Sequence, residues 1–597
     1  MPDGGHAPRP CIPIVPMTDG PRAQEDDRRL SLEERLARLG PNQRALLEAQ
    51  RRGEPITGHC LVARTLRDLG VTHVYGVAGQ PVYDTFGACA KAGLRLIGTR
   101  HQQPAAMMAA AHNYFAGRQQ AATIVSAGVS AANALGAVVA ARDNCWPLVV
   151  LAGSAPTGTA GYFMALDTVE LFRPVAKWAT EVTETRAIPE SIVRAFEVAM
   201  HERPGPVLVQ LPENVLTGLA RSGDDASLPA AHRVLEPDPA AVAQAVAMLH
   251  RASRPLLIMG KGLRWSAPFA ALRELVDALA LPFITSPIGC GTIPDDHPLC
   301  MNAIPWVAQS GADLVLVLGA RLDWTFRYGR HIPPGTAIIR VDVHAAEFDA
   351  APGTALGVHA DAGAFLRHLL ALSAGGSRYE APFCRDRAWL ADLKEARQRV
   401  GVRREAESAG DAARISPWRL ARELRDALPK DAITVFDGNL VMAVCQRMIP
   451  AHFPACRLTP GTSGGLGGGI PYAMAAKIEH PERPVVAICG DYAFGLGAME
   501  LETAVRHNVP IVVVIANNDG NSGSRRQRMH LGDGSAEAVM MFRPGLRYER
   551  IMALFGGCAE HVDRPEDIGP ALTRALADGR PACVNVAVDP DAPYPTN

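Results

Sequence analysis

The chain has 597 residues, 48% of them hydrophobic and 20% charged, a balance suited to several globular domains of roughly 100–200 residues each. A formal net charge of −1 leaves no basic footprint for nucleic acid, no apolar run reaches the ~18 residues that span a membrane, and the N-terminus lacks the apolar core of a signal peptide. The 12 cysteines are scattered without a C-x-x-C pair, which argues against a zinc site or a disulfide framework and for a reduced, cytoplasmic protein.

Residues 1–28, rich in Pro, Gly and charge, predict disorder. Ser31 and Glu34 have the spacing of a capping box, opening a short helix that Gly40 can close. Pro41 can open a second helix, closed by Gly53. This extension, residues 1–57, is too small for a domain. It either packs on the main body or docks a partner such as a carrier protein.

From residue 58 the pattern changes. The runs VTHVYGV, LRLIGTR, AATIVSAG, PLVVLAG and PVLVQLP alternate with helical stretches through residue 215, as in a parallel sheet with crossover helices. A linker follows over 216–237. A second block, 238–372, carries RPLLIMG, LPFITS, ADLVLVLGA and AIIRVDV. Another linker surrounds SAGGSRYEAPF, and a third block, 412–597, carries AITVFDG, PVVAICGD, PIVVVIANN and PACVNVAVD. The expected fold is α/β, with three doubly wound parallel-sheet domains behind an N-terminal helical extension.

The strongest chemical signal lies in the third block. Gly490-Asp491-Tyr492-Ala493 is followed by a helical stretch and then by a strand ending Asn517-Asn518-Asp519-Gly520. Asp491 and Asn518 are expected at the carboxyl ends of neighbouring strands, where α/β sheets bind ligands. A carboxylate, an amide oxygen and the Gly520 carbonyl make a hard oxygen site, suited to Mg²⁺ or Ca²⁺ with phosphate oxygens. A helix beginning near Leu496 can aim its N-terminus at those phosphates, and Gly490 and Ala493 admit close approach. Either half of the pattern alone is commonplace; the pair at this spacing, between two buried strands, points to a site.

This arrangement resembles the diphosphate-binding motif of thiamine-diphosphate (ThDP) enzymes of the three-domain decarboxylase/acetolactate synthase type, and the resemblance covers nearly the whole chain after residue 58. It implies ThDP and Mg²⁺ as cofactors, with Asp491, Asn518 and the Gly520 carbonyl on the metal. The turn Gly461-Thr462-Ser463-Gly464-Gly465-Leu466-Gly467 is similar to the family's loop beneath the cofactor. By that match Leu466 is the apolar wedge, and the Gly464 carbonyl faces the aminopyrimidine beside Gly465. Asp437-Gly438-Asn439 looks like the second diphosphate-contacting turn, joined by Gly490, Tyr492 and Ala493. The three blocks then correspond to the pyrimidine-binding, central and diphosphate-binding domains. The family's build sets the cofactor between two chains, implying a homodimer or homotetramer. No FAD signature is recognised and none is expected.

Several segments resemble the 2-hydroxyacyl-CoA lyase and oxalyl-CoA decarboxylase branch. Residues 75–82, YGVAGQPV, are similar to its YGVVGIPV; 144–148 read NCWPL as in the lyases; GARLDW at 319–324 is close to GARLNW; and DYAFG at 491–495 is close to DSAFG. The segment MMFRPGLRYERIMALFGG also resembles that branch. Acetolactate synthase-like carboligases stand second. The branch implies a small-molecule 2-oxo acid or a 2-hydroxyacyl or 2-oxoacyl thioester on CoA or a carrier protein. Arg321 is a candidate contact for a nucleotide handle, or a structural ion-pair partner.

Three departures surround the reaction centre. Where the family reads R-H-E-Q, this chain has Arg100-His101-Gln102-Gln103. The family's glutamate hydrogen-bonds N1′ of the aminopyrimidine and promotes the tautomer that removes the thiazolium C2 proton. Gln102 cannot ionise, so that proton loss is expected to slow by roughly 10²–10⁴ unless something compensates. The lyases' A-F-Q-E is Tyr162-Phe163-Met164-Ala165 here, and Asn521-Ser522 stand where relatives continue to a tyrosine. Gln80, Phe163, Met164 and Ser522 are the expected substrate pocket. His101 is a possible proton donor or a structural histidine. The expected activity is that of a ThDP/Mg²⁺-dependent C–C lyase, decarboxylase or carboligase working through a C2 carbanion/enamine. The alternatives are an acetolactate synthase- or glyoxylate carboligase-like ligase, and a non-catalytic ThDP-binding scaffold.

Overall fold

The computed structural model describes residues 55–595, apart from 160, 222–233, 350–352, 375–383, 411–413 and 522–536. The expected helices before residue 54, and Ser522, lie outside the described residues.

Three parallel sheets bear out the expected architecture. In the first domain β1 (His73–Val77), β2 (Arg95–Gly98), β3 (Ala121–Val125), β4 (Leu148–Ser154), β5 (Trp178–Glu181) and β6 (Pro206–Pro212) lie in the order 2-1-3-4-6-5. The central domain holds β7 (Pro255–Met259), β8 (Phe283–Thr285), β9 (Leu314–Leu318), β10 (Ala337–Asp342) and β11 (Thr354–His359), ordered 8-7-9-10-11. The third holds β12 (Ile433–Asp437), β13 (Arg457–Leu458), β14 (Val485–Gly490), β15 (Val512–Asn517), β16 (Cys558–Val562) and β17 (Ala582–Ala587), ordered 13-12-14-15-17-16. The first and third sheets thus share one topology, a correspondence with no visible repeat in the sequence.

These two domains also share a core. Helix Gln102–Ala116 is buried over Pro104–Phe115 and packs on helix Gly469–Glu479. Both helices are apolar nearly all round, as helices covered on every side must be. Their alanines let the backbones come close, while Tyr114, Trp146 and Tyr472 fill the ends with rings 5.4 Å apart. Polar contacts fix the register: Gln120 Nε2 donates to Glu479 Oε2 at 2.5 Å, and His112, hydrogen-bonded to the Tyr75 hydroxyl at 2.7 Å, lies 3.2 Å from the same oxygen. This packing fixes the position of helix Gln102–Ala116 against the third domain, and so where Gln102 stands.

Of the strands in these three sheets, four escape the sequence pattern: β5, β11, β13 and β16. All four are sheet edges. An edge strand is covered on fewer sides and need not be a continuous apolar run; β5 reads WATE and β16 reads CAEHV. A 22-residue helix, Arg387–Ser408, also occupies a stretch between the expected second and third blocks, and its surface is largely polar. Among the described residues no helix is long and apolar enough to cross a membrane.

Candidate functional site

β14 and β15 are parallel neighbours, with Gly490 opposite Ala516. The residues that follow each strand therefore emerge side by side at the carboxyl edge of the sheet. They line one cleft with Gly438, Asn439, Leu466, Asp491, Tyr492, Ala493, Asn518 and Gly520. Asp491 and Asn518 are both buried. The Asp491 carboxylate is held from two sides, Oδ1 accepting from Tyr492 N at 2.8 Å and Oδ2 from Gly520 N at 2.9 Å. That second bond ties the turn after β15 directly to the turn after β14. Asp491 itself opens a helix, Asp491–Gly497, so the helix starts there and not near Leu496. The local reason is the Asp491 carboxylate, which turns back onto the next N–H while Gly490 stays extended.

Two further turns close the cleft. Gly438 has φ +120°, and a Cβ there would stand 3.1 Å from Gly490 N, so only glycine lets the two turns lie this close. Asp437, the last residue of β12, does not line the cleft. Its side chain is turned inward, Oδ2 accepting from Gly467 N at 3.0 Å and Gly469 N at 2.8 Å. Burial pushes its carboxyl up to about 6, against the opposing pull of those amides. Asp437 therefore acts on the cleft through the backbone of Gly467, next to Leu466, and through the N-terminus of helix Gly469–Glu479. Gly464 and Gly465 sit at the outer bend of this turn, Gly465 N donating to Ser463 Oγ at 3.3 Å. The donor set of Asp491, Asn518 and Gly520 contains one carboxylate, which suits a hard cation that draws its remaining ligands from phosphate oxygens. The residues present thus fit a metal-bound diphosphate.

The expected pyrimidine half lies elsewhere. His101 is an exposed, extended N-cap whose Nδ1 accepts from Gln103 N at 3.2 Å, so the histidine holds the helix start. Gln102 is partly exposed; its Nε2 donates to Ser130 Oγ at 2.9 Å and its Oε1 accepts from Asn133 Nδ2 at 3.1 Å. Gln80 is exposed in the loop after β1, Phe163 is 76% exposed, and Met164 has φ +61°. None of these five residues lines the diphosphate cleft of its own chain.

Sequence reasoning passed over Glu500. It is 2% exposed and opens the helix after the metal motif, and its Oε1 accepts from Arg100 N at 3.0 Å and His101 N at 3.2 Å. Burial raises its carboxyl, opposed by those N–H groups and by Thr503. Its only sequence signal was an acid in an otherwise apolar stretch nine residues past Asp491. A larger cavity, about 710 Å³, opens between the first and central domains, lined among others by Cys145, Arg203, Lys261, Arg321 and Asp342. Arg321 also has a structural partner, donating from Nη2 to the Asp143 carbonyl.

Comparison with known proteins agrees with this geometry. The chain matches three family models in succession: the N-terminal TPP binding domain of thiamine pyrophosphate enzymes over residues 56–171, their central domain over 242–369, and their C-terminal TPP binding domain over 438–586. It is 31% identical to a 2-hydroxyacyl-CoA lyase of Arabidopsis thaliana, over 90% of this chain and 96% of the relative. It is 33% identical to an acetolactate synthase large subunit of Mycobacterium tuberculosis, over the same shares of both chains. An oxalyl-CoA decarboxylase of Escherichia coli is 30% identical, over 90% of this chain and 95% of its own. The chain therefore belongs to the thiamine pyrophosphate enzymes, and thiamine diphosphate is its cofactor.

Proposed function

We propose that this enzyme, with Mg²⁺ as partner metal, breaks or forms a C–C bond beside a carbonyl, using a 2-oxo acid or a 2-hydroxyacyl or 2-oxoacyl thioester as donor. The observation that carries this reading is the cleft that joins Asp491, Asn518 and Gly520 at the ends of β14 and β15. Bound ThDP supplies a thiazolium carbon that adds to a carbonyl and accepts the electron pair released as CO₂ or an acyl fragment leaves. The chain's own residues do the rest. Asp491, the Asn518 amide oxygen and the Gly520 carbonyl would hold Mg²⁺ against the diphosphate. Leu466, on a turn held by Asp437, would brace the cofactor from below. Gln102 would offer an amide N–H to the pyrimidine, a group that cannot pass a proton to N1′. Phe163 and Met164 would present apolar surface to the substrate, and an apolar surround favours conversion of a carboxylate to neutral CO₂.

One cofactor is assigned to two chains. The cleft draws its lining from the third domain, Gln102 is held within the first, and large apolar side chains are exposed near both: Val129 and Phe163 on one, Leu496 and Met499 on the other. A homodimer or homotetramer would cover them. The names of the relatives, a lyase, a decarboxylase and a synthase, support this span of chemistry and do not choose within it. A thioester handle would bear on the large cavity near Arg321.

The test is acid-quench mass spectrometry of the protein with ThDP, Mg²⁺ and, in turn, pyruvate, glyoxylate, oxalyl-CoA and a 2-hydroxyacyl-CoA. A covalent cofactor adduct with one donor names the substrate class. The second reading, a ThDP-binding scaffold, rests on Gln102. ThDP that binds yet never exchanges its C2 proton, and forms no adduct, would favour it.

A further inference from the structure

The segments that mark this chain's branch converge on one residue. Thr462, at the base of the turn that carries Leu466, is held by both other domains. From the first domain, Asn144 Oδ1 accepts from Thr462 N at 2.9 Å, while Asn144 Nδ2 donates to the neighbouring Pro460 carbonyl at 3.1 Å. From the central domain, Trp324 Nε1 donates to the Thr462 carbonyl at 2.9 Å, and Asp323 Oδ2 accepts from the Thr462 hydroxyl at 3.2 Å. Lys261 completes the set: Nζ donates to Thr462 Oγ1 at 2.9 Å and to the Asp143 carbonyl at 2.6 Å. Every hydrogen-bonding group of Thr462 is thus engaged, and the bonds that join it to the central domain run through its hydroxyl and carbonyl.

Lys261 is an unusual member of this set. It is 8% exposed, and its ammonium donates to a hydroxyl and a carbonyl. Burial of an ammonium is costly, and the Asp323 carboxylate, which accepts from the same Thr462 hydroxyl, offsets part of that cost. Its side chain lines both the 710 Å³ cavity and a small cavity bounded by Gly461 and Thr462, so it stands between the cavity and the cofactor turn.

We propose that Lys261 and Thr462 are positioning residues by which the central domain sets the cofactor turn Gly461–Gly467, so that ThDP affinity depends on the Lys261–Thr462 hydrogen bond. Neither residue touches the cofactor. They act through the backbone between Thr462 and Leu466. The proposal rests on the assignment of that turn to ThDP, and the test separates the two.

The full-length protein is titrated with ThDP at fixed Mg²⁺ by isothermal calorimetry, as wild type, Lys261→Met, Thr462→Val, Thr462→Ser and Lys261→Met/Thr462→Val. Absence of ThDP binding by the wild type would remove the cofactor assignment itself. With wild-type binding in place, the expected result is a Kd raised about tenfold in Lys261→Met and in Thr462→Val, the size of one hydrogen bond to a charged group. Thr462→Ser, which keeps the hydroxyl, stays within about twofold of wild type, and the double variant is no weaker than the worse single one. Thr462→Val is nearly isosteric, so it keeps the test open if Lys261→Met does not fold. A Kd unchanged in both single variants overturns the proposal, as does Thr462→Ser binding as poorly as Thr462→Val. Losses that multiply in the double variant would show two independent structural contributions and overturn it equally.

Discussion

Gln102→Glu places a carboxyl where the family resemblance implies one, and the structure allows its effects on stability and on chemistry to be separated. The side chain bonds to Ser130 Oγ and Asn133 Nδ2. A glutamate of the same length keeps both bonds: the Ser130 hydroxyl turns from acceptor to donor, and Asn133 still donates. The new charge sits at the first position of helix Gln102–Ala116, where the helix dipole favours an anion by about 0.3–1 kcal/mol. Folding stability is therefore expected to stay level or rise slightly. The chemical effect should be far larger, because a carboxyl can share a proton with the pyrimidine and an amide cannot. General acid–base assistance of this kind is worth about 10²–10⁴ in rate. The assay is exchange of the thiazolium C2 proton for deuterium in enzyme-bound ThDP, quenched in acid and read by NMR. The variant should exchange ~10²–10⁴ times faster than wild type, with the thermal midpoint unchanged or higher. Equal exchange rates in two proteins that both bind ThDP would refute the reasoning, since residue 102 could not then face the pyrimidine.

Three further outcomes are expected. Asp491→Asn keeps an acceptor for Gly520 N–H but removes the charge, so added Mg²⁺ should no longer raise ThDP affinity; an unchanged Mg²⁺ dependence would sink the metal assignment. Gly469→Ala places a Cβ 2.4 Å from Cys489 Sγ and 3.1 Å from Asp437 Cβ at the start of the interdomain helix, and overpacking of this kind costs about 1–3 kcal/mol. Its thermal midpoint should fall, and Cys489→Ala in the same chain should recover part of the loss; no fall at all would mean the backbone there yields freely. Asp437 holds its proton up to about pH 6, well above the ordinary 3.8, so the folded state binds more protons than the unfolded chain between those values. Stability of the cofactor-free protein from this group therefore declines as pH rises from about 4 to about 6, by roughly 3 kcal/mol, and stays low above that. Asp437→Asn should remove this decline in urea unfolding followed across the same pH range, and a slope identical to wild type would show that another group is responsible.

What the sequence determined by itself was whatever is written in consecutive residues. The interior strands are predominantly apolar runs because both faces of a parallel sheet are covered, and β12, β14, β15 and β17 stand where such runs stand. The cleft was legible for the same reason, since Gly490-Asp491 and Asn518-Asp519-Gly520 end two such runs. The tertiary structure decided everything that depends on residues far apart in the chain. The edge strands β5, β11, β13 and β16 owe their existence to a neighbour's hydrogen bonds, not to a pattern of their own. Asp437 looked like a cofactor contact by position, yet two amides 30 and 32 positions along the chain draw its carboxylate inward. Glu500 reaches the backbone of Arg100 across 400 positions, and Lys261 reaches Thr462 across 201. A hydrogen bond between distant segments imposes no period and no spacing on either one, so only the folded chain reveals which turn each of these side chains holds.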